Sequence, residues 1–243
     1  MGPFPFPSLL HDGADDIRLF FLALSLLTGI GYYFMRSVEN GMARTLVKTA
    51  CVSALAVYTA ISLPEGLSGL PYIAGVLLVV GLVFSAAGDF FLANDRDKQF
   101  VLGLGSFLIG HICYIACFAL LVTAESIGMP YKIAGALFVL LFAAGEFSWF
   151  RPGLGKMLLP VAAYVTVIAV MGAMSILAPF AGGWVVLGAI LFMLSDSLIA
   201  AEKFKDPLPY IDRYIGQAIW VTYVVAQYLI AFGILQELTL LVG

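Results

Sequence analysis

Eight stretches of about twenty mostly apolar residues dominate this chain: 17–36, 44–62, 72–92, 101–121, 131–149, 157–178, 183–201 and 215–236. A helix needs about 20 residues to cross a hydrocarbon core roughly 30 Å thick. Inside that core a spanning segment must satisfy its own backbone groups, which favours helices for runs of this length. The remaining composition agrees. At 62% hydrophobic and 11% charged residues, with mean hydropathy +1.04, the chain carries more apolar surface than one water-soluble core could hide. The expected fold is all-α, a polytopic membrane protein of eight transmembrane helices whose solvent is the lipid bilayer. The expected organisation is one integral membrane domain over 1–243, with an extracytoplasmic lead (1–16), the bundle (17–236) and a short tail (237–243). The connections are too short for a soluble domain, and no nucleic-acid partner is expected.

Basic residues set the orientation. Nine of them, Arg36, Arg44, Arg96, Lys98, Arg151, Lys156, Lys203, Lys205 and Arg213, fall in the first, third, fifth and seventh connections, against only Arg18 and Lys132 on the other side. The positive-inside rule then places the odd connections in the cytoplasm and both termini outside. The first residues, with Pro3, Pro5, Pro7 and the acids Asp12, Asp15 and Asp16, lack the positively charged start of a signal peptide and read as an extracytoplasmic lead. Breaks between spans carry ordinary turn chemistry at Leu63-Pro64-Glu65-Gly66, Gly128-Met129-Pro130, Arg151-Pro152-Gly153 and Asp206-Pro207-Leu208-Pro209. Gly81 and Gly88 read as positions of close helix approach. Cys51, Cys113 and Cys117 lie inside spans and read as small apolar packing residues.

Against this background two carboxylates stand out. Asp89 and Asp196 sit in spans three and seven, where a charged side chain costs about 2.5–3.5 kcal/mol even on insertion scales. Spans three and seven run in the same direction, and a parallel 4+4 repeat is one way to read that symmetry. Ser85 lies one turn before Asp89, and Ser195 adjoins Asp196. Span four presents His111 and Tyr114 on a stripe with Phe100, Gly103 and Phe107. His111 reads either as a functional group or as one that orients a carboxylate or carbonyl. Span eight offers Gln217, Trp220, Tyr223 and Gln227, with Tyr214 just before. Its amides serve either to join helices or to hold a polar headgroup. Lys48 and Glu146 are the other intramembrane charges, near enough to the boundary to snorkel. Because Lys48, Asp89, Glu146, Asp196 and Gln217 share one half of the bilayer, a single polar cavity opening on the inside is expected.

The string Phe84-Ser85-Ala86-Ala87-Gly88-Asp89-Phe90-Phe91-Leu92, the spacing Phe100, Gly103, Phe107, His111, Tyr114, the string Phe192-Met193-Leu194-Ser195-Asp196-Ser197 and the pairs Thr222-Tyr223 and Ala226-Gln227 resemble the YhhN family, which includes the TMEM86 lysoplasmalogenases. The likeness covers nearly the whole chain. It departs at Thr49, where the family pattern leads one to expect proline after the span-two lysine. The resemblance implies hydrolysis of the vinyl ether bond of a lysophospholipid substrate, a lysoplasmalogen, to a fatty aldehyde and a glycerophospho-base. It also implies an integral membrane location, in a bacterium the inner membrane, with the site in the cytoplasmic half.

That chemistry needs an acid protonated near neutral pH, to deliver a proton to the β-carbon, and an anion to stabilise the oxocarbenium ion or activate water. Paired carboxylates meet the need as they do in glycosidases. Asp196, the deeper, is assigned the acid and Asp89 the base or electrostatic partner, with His111 orienting or relaying. Lys48, Ser85, Tyr114, Ser195, Tyr214, Gln217, Tyr223 and Gln227 are the candidate substrate-binding residues. No cofactor is expected. With only His11 and His111 in the chain, a three-His zinc site is excluded, leaving an Asp/Asp/His metal site as the variant. The alternative function is a proton-coupled membrane transporter using the Asp pair, which interrupted helices beside either Asp would support.

Overall fold

The computed structural model describes residues 14–35, 41–93, 97–123, 127, 129–205 and 212–242. The proline-rich lead with His11, the basic residues Arg36 and Arg96, and the Asp206–Pro209 turn lie outside the described residues. Among those described, eight helices are long and apolar enough to cross a membrane. They are α1 (Ala14–Met35), α2 (Met42–Ile61), α3 (Gly69–Leu92), α4 (Asp97–Leu121), α5 (Pro130–Phe150), α6 (Leu158–Leu177), α7 (Trp184–Phe204) and α8 (Asp212–Leu240). Each matches an expected span to within a few residues. The largest departure is α8, whose backbone stays helical through Glu237 to Leu240, so most of the expected tail belongs to the bundle. Hydropathy falls at the polar residues, whereas helical hydrogen bonding continues past them.

Consecutive helices pack as neighbours within α1 to α4 and within α5 to α8. The longest helix, α8, also packs on α1, α2 and α3, and α4 packs on α6, so α8 and α4 join the two sets of four. Large side chains on the outer faces are apolar and exposed, such as Phe34, Phe138, Leu141 and Leu159, as lipid contact requires. The α3–α4 pair is the tightest, and glycine makes it so. A Cβ at Gly81 would lie 2.4 Å from the Tyr114 ring, and one at Gly88 would lie 2.5 Å from Phe107. Both rings therefore lie against helix backbone, and the expected close approach is found.

Helix ends are closed by basic side chains. Arg18 Nε donates to the Ile61 carbonyl at 3.1 Å, and Lys132 Nζ to Ala178 at 2.7 Å. Lys205 Nζ donates to Trp149 at 2.7 Å. These satisfy C-terminal carbonyls left over by α2, α6 and α5. The Arg151-Pro152-Gly153 break forms one short 3-10 turn, and Gly155–Met157 forms a second that leads into α6. Gly153 passes so near the end of α7 that a Cβ would sit 2.6 Å from the Phe204 carbonyl oxygen. Phe150, Leu154 and Val161 pack there with Phe204 as a second, smaller apolar cluster. Cys51, Cys113 and Cys117 are free thiols, and Cys51 and Cys117 belong to the main core. Both α3 and α7 run unbroken past Asp89 and Asp196, so the helix interruption that would have supported a transporter is not present at either Asp.

Candidate active site

Asp89 leaves α3 one turn before its end, on the face that also carries Leu78, Leu82 and Ser85. That face packs inward against α2 and α8, which bring Lys48 and Tyr223 to the carboxylate. Oδ1 lies 3.2 Å from Lys48 Nζ, and Oδ2 accepts the Tyr223 hydroxyl at 2.7 Å. Asp89 is 1% exposed. A charge this deep persists only when paired and hydrogen-bonded, and both conditions are met. Lys48 does not snorkel away. Its Nζ also stands 5.9 Å from the centre of the Tyr32 ring, a further cation–π contact.

Asp196 is held differently. It projects from α7, is partly accessible, and Oδ2 accepts the Tyr164 hydroxyl at 2.6 Å. Among the described residues, Oδ1 accepts no hydrogen bond and no basic side chain pairs with the carboxyl group. Tyr164, on α6, was not among the candidates drawn from the sequence. The one signal for it was general: a tyrosine buried inside an apolar span needs a partner for its hydroxyl.

Two spaces meet at Asp196. The first is a polar cavity of about 360 Å³ with its open mouth included, lined by Lys48, Asp89, Ser195, Asp196, Trp220 and Tyr223 among others. Both aspartates therefore face one cavity. The second is a groove of about 710 Å³, again with its mouth, walled by apolar side chains of α3 to α7 and polar only at Glu146, Tyr164, Asp196 and Ser197. Leu92, Phe107, Asp196 and Ile199 line both. Asp196 is thus the carboxyl group between a space with polar lining residues and an apolar one.

The other candidates sort by distance from this junction. Ser195 lines the polar cavity, with its hydroxyl donating to the Ile219 carbonyl at 3.1 Å. Ser85 donates to Gly81 at 2.9 Å, and the Tyr114 hydroxyl donates to Gln227 Oε1 at 2.7 Å. The first bond stays within α3, and the second joins α4 to α8. His111 is enclosed by rings, at 4.6 Å from Phe192, 5.4 Å from Tyr164 and 6.5 Å from Tyr114 between centroids. Among the described residues neither of its nitrogens has a hydrogen-bond partner, and the Tyr164 ring it packs against carries the hydroxyl bonded to Asp196. Tyr214 is 62% exposed, and neither it nor Gln217 lines the two spaces. Among the described residues, no three His, Cys, Asp or Glu side chains converge as metal ligands would.

Comparison with known proteins places this geometry in context. A family model described as the YhhN family matches residues 43–234. A protein of Mycobacterium tuberculosis named lysoplasmalogenase is 34% identical over 160 residues, covering 64% of this chain and 59% of the relative. Lysoplasmalogenase TMEM86A of Homo sapiens is 32% identical over 171 residues, covering 66% of this chain and 65% of the relative. Lysoplasmalogenase TMEM86B of Homo sapiens is 31% identical over 166 residues, covering 66% and 64%. The chain thus spans about three fifths of the length of the curated relatives it matches. No solved structure matches it at a significant level.

Proposed function

The chain belongs to the YhhN family, and from that premise we propose that it is a membrane hydrolase that cleaves the vinyl ether bond of lysoplasmalogens. Relatives named lysoplasmalogenase supply the substrate class. The observation that carries the mechanism is the position of Asp196, with one carboxyl oxygen unbonded at the meeting of an apolar groove and a polar cavity.

In this reading the aliphatic chain lies in the groove, and the vinyl ether reaches Asp196. Oδ1, carrying the proton, delivers it to the β-carbon; the double-bond electrons form the new C–H bond, and the α-carbon and ether oxygen share the resulting positive charge. The Tyr164 hydroxyl on Oδ2 stabilises the carboxylate left behind. Water in the polar cavity adds to the α-carbon and gives its proton to Asp89, whose oxygens keep lone pairs beyond the two bonds they accept. The product is a hemiacetal. Its collapse moves the hydroxyl proton to the departing glycerol oxygen, releasing aldehyde and glycerophospho-base. Return of a proton from Asp89 to Asp196 resets the pair.

Lys48 and Tyr223 hold the Asp89 carboxylate in place, while Tyr214 and Gln217 meet the headgroup further out. We place the site in the cytoplasmic half of the membrane, with both termini outside, because nine basic residues at or near the span ends lie on one side against two on the other. The test is aldehyde release from a lysoplasmalogen by purified protein. Asp89→Asn and Asp196→Asn should each abolish it while the protein still folds. Wild-type rates surviving both substitutions would remove the acid/base assignment.

A further inference from the structure

Among the described residues, four line both the polar cavity and the apolar groove: Leu92, Phe107, Asp196 and Ile199. Asp196 is the acid of the proposed reaction, and Leu92 and Ile199 are aliphatic. Phe107 is the aromatic member of the four, and the chemistry above gives it no role. Its position is fixed from several sides. A Cβ at Gly88 would lie 2.5 Å from the ring, so the α3 backbone itself forms one wall. The ring meets Tyr223 at 5.6 Å and Phe192 at 6.1 Å between centroids, nearly perpendicular to both, at 88° and 76°. At 6% exposure the ring has little room to turn. An aliphatic side chain could fill much of this volume, whereas an aromatic ring adds faces that carry negative potential.

The proposed reaction raises a positive charge at this same junction. Once Asp196 has given up its proton, the α-carbon and ether oxygen beside it share that charge. The polar cavity does little to offset it, because Asp89 is already paired with Lys48 at 3.2 Å, and the Lys48 ammonium in that cavity repels a second cation. The groove is walled mainly by apolar side chains, and aliphatic surroundings do not stabilise charge. We infer that Phe107 stabilises the oxocarbenium ion through a cation–π contact and so acts as a second catalytic residue beside Asp196. The inference rests on the vinyl ether hydrolase reading and adds a residue to its mechanism. Burial strengthens such a contact, since little water competes for the cation. The vinyl ether itself is neutral, so the attraction arises only as charge develops and is read in kcat rather than in KM.

The experiment withdraws electrons from the ring with little change in its shape. Phe107 is replaced in the full chain by mono-, di- and trifluorinated phenylalanine, and aldehyde release from a 1-alkenyl-glycerophosphoethanolamine is followed with purified protein. Each fluorine weakens the negative faces, so kcat should fall stepwise, by about tenfold across the series, with KM within about twofold. Phe107→Leu, which removes the ring, should lower kcat by about tenfold or more. A further pair separates electrons from bulk. Para-methyl- and para-chlorophenylalanine are closely matched in size, and at Phe107 the methyl variant should turn over about threefold faster than the chloro variant. The fluorinated series at Phe192, which packs on Phe107 but lines neither space, should change kcat by less than about twofold. A flat kcat across the fluorinated series, equal rates in the methyl and chloro pair, or an equal fall at Phe192 overturns the inference while leaving the hydrolase reading intact. Failure of wild type to release aldehyde overturns the hydrolase reading instead.

Discussion

Asp89 and Asp196 are both intramembrane aspartates near the ends of long helices, both accept a tyrosine hydroxyl, and both face one polar cavity. They differ in what holds the second oxygen. At Asp89 it is Lys48, largely buried, and the carboxylate is 1% exposed. At Asp196 it is nothing among the described residues, and the carboxyl group also opens on an apolar groove. A carboxylate fixed on both oxygens beside a lysine is held still and stays charged until water gives it a proton. One fixed on a single oxygen beside an oily space can hold a proton on the other and release it to carbon. In the proposed mechanism, identical residues in similar sequence settings are given different work by a single neighbour from another helix.

This contrast is breakable by mutation. The largest predicted effect is on rate: Asp196→Asn should lower aldehyde release by about 10²–10⁴-fold, the usual worth of a general acid, with little change in melting temperature. If activity persists within tenfold, Asp196 is not the acid. Next comes stability. Lys48→Met leaves Asp89 buried without its cation and should cost about 3–5 kcal/mol, because breaking a buried pair strands a charge. The double variant Lys48→Met with Asp89→Leu should recover most of that in thermal unfolding yet remain inactive. A double variant as unstable as the single one would mean that the ion pair is not what the single substitution breaks.

The two tyrosines give a finer test. Tyr164→Phe removes a hydrogen bond to a developing carboxylate, worth about 1.5–3 kcal/mol, so kcat should fall about tenfold to a hundredfold. Tyr223→Phe removes a bond to a carboxylate that is already charged before the first proton transfer, so its loss should be read mainly in melting temperature. Equal effects of both on kcat would erase the distinction drawn here. Smallest of all, Tyr214→Phe should leave kcat/KM within about twofold, since this exposed side chain lines neither space and exposed contacts contribute little.

Much of this arrangement was legible in the chain. Eight spans followed from runs of apolar residues, and the close α3–α4 packing was foreshadowed by Gly81 and Gly88, because a helix tolerates glycine inside a membrane where a neighbour must come near. Asp89 and Asp196 were legible because charge in hydrocarbon is costly enough to be rare. Tyr164 was not, since a tyrosine in an apolar span looks like packing until the acceptor of its hydroxyl is known. Glu146 was legible as an intramembrane charge, near enough to the boundary to snorkel and expected in one polar cavity with the aspartates, whereas it lines the apolar groove. Only the fold turns it into a groove wall facing Asp196. Tyr114 and Gln227, candidates drawn from the sequence, bond to each other in the core, a pairing that no local pattern shows.

What the amino-acid sequence determined by itself was the solvent and the inventory: a bilayer, eight helices, and a short set of polar groups that hydrocarbon would not admit without cause. Those follow from per-residue transfer energies and from the length a helix needs, neither of which depends on neighbours far along the chain. What only the tertiary structure decided was the pairing: Lys48 from α2 and Tyr223 from α8 on Asp89, Tyr164 from α6 on Asp196, and Glu146 from α5 across the groove. Such pairings join residues up to 134 positions apart. They arise from which helix faces meet, and no local pattern encodes that.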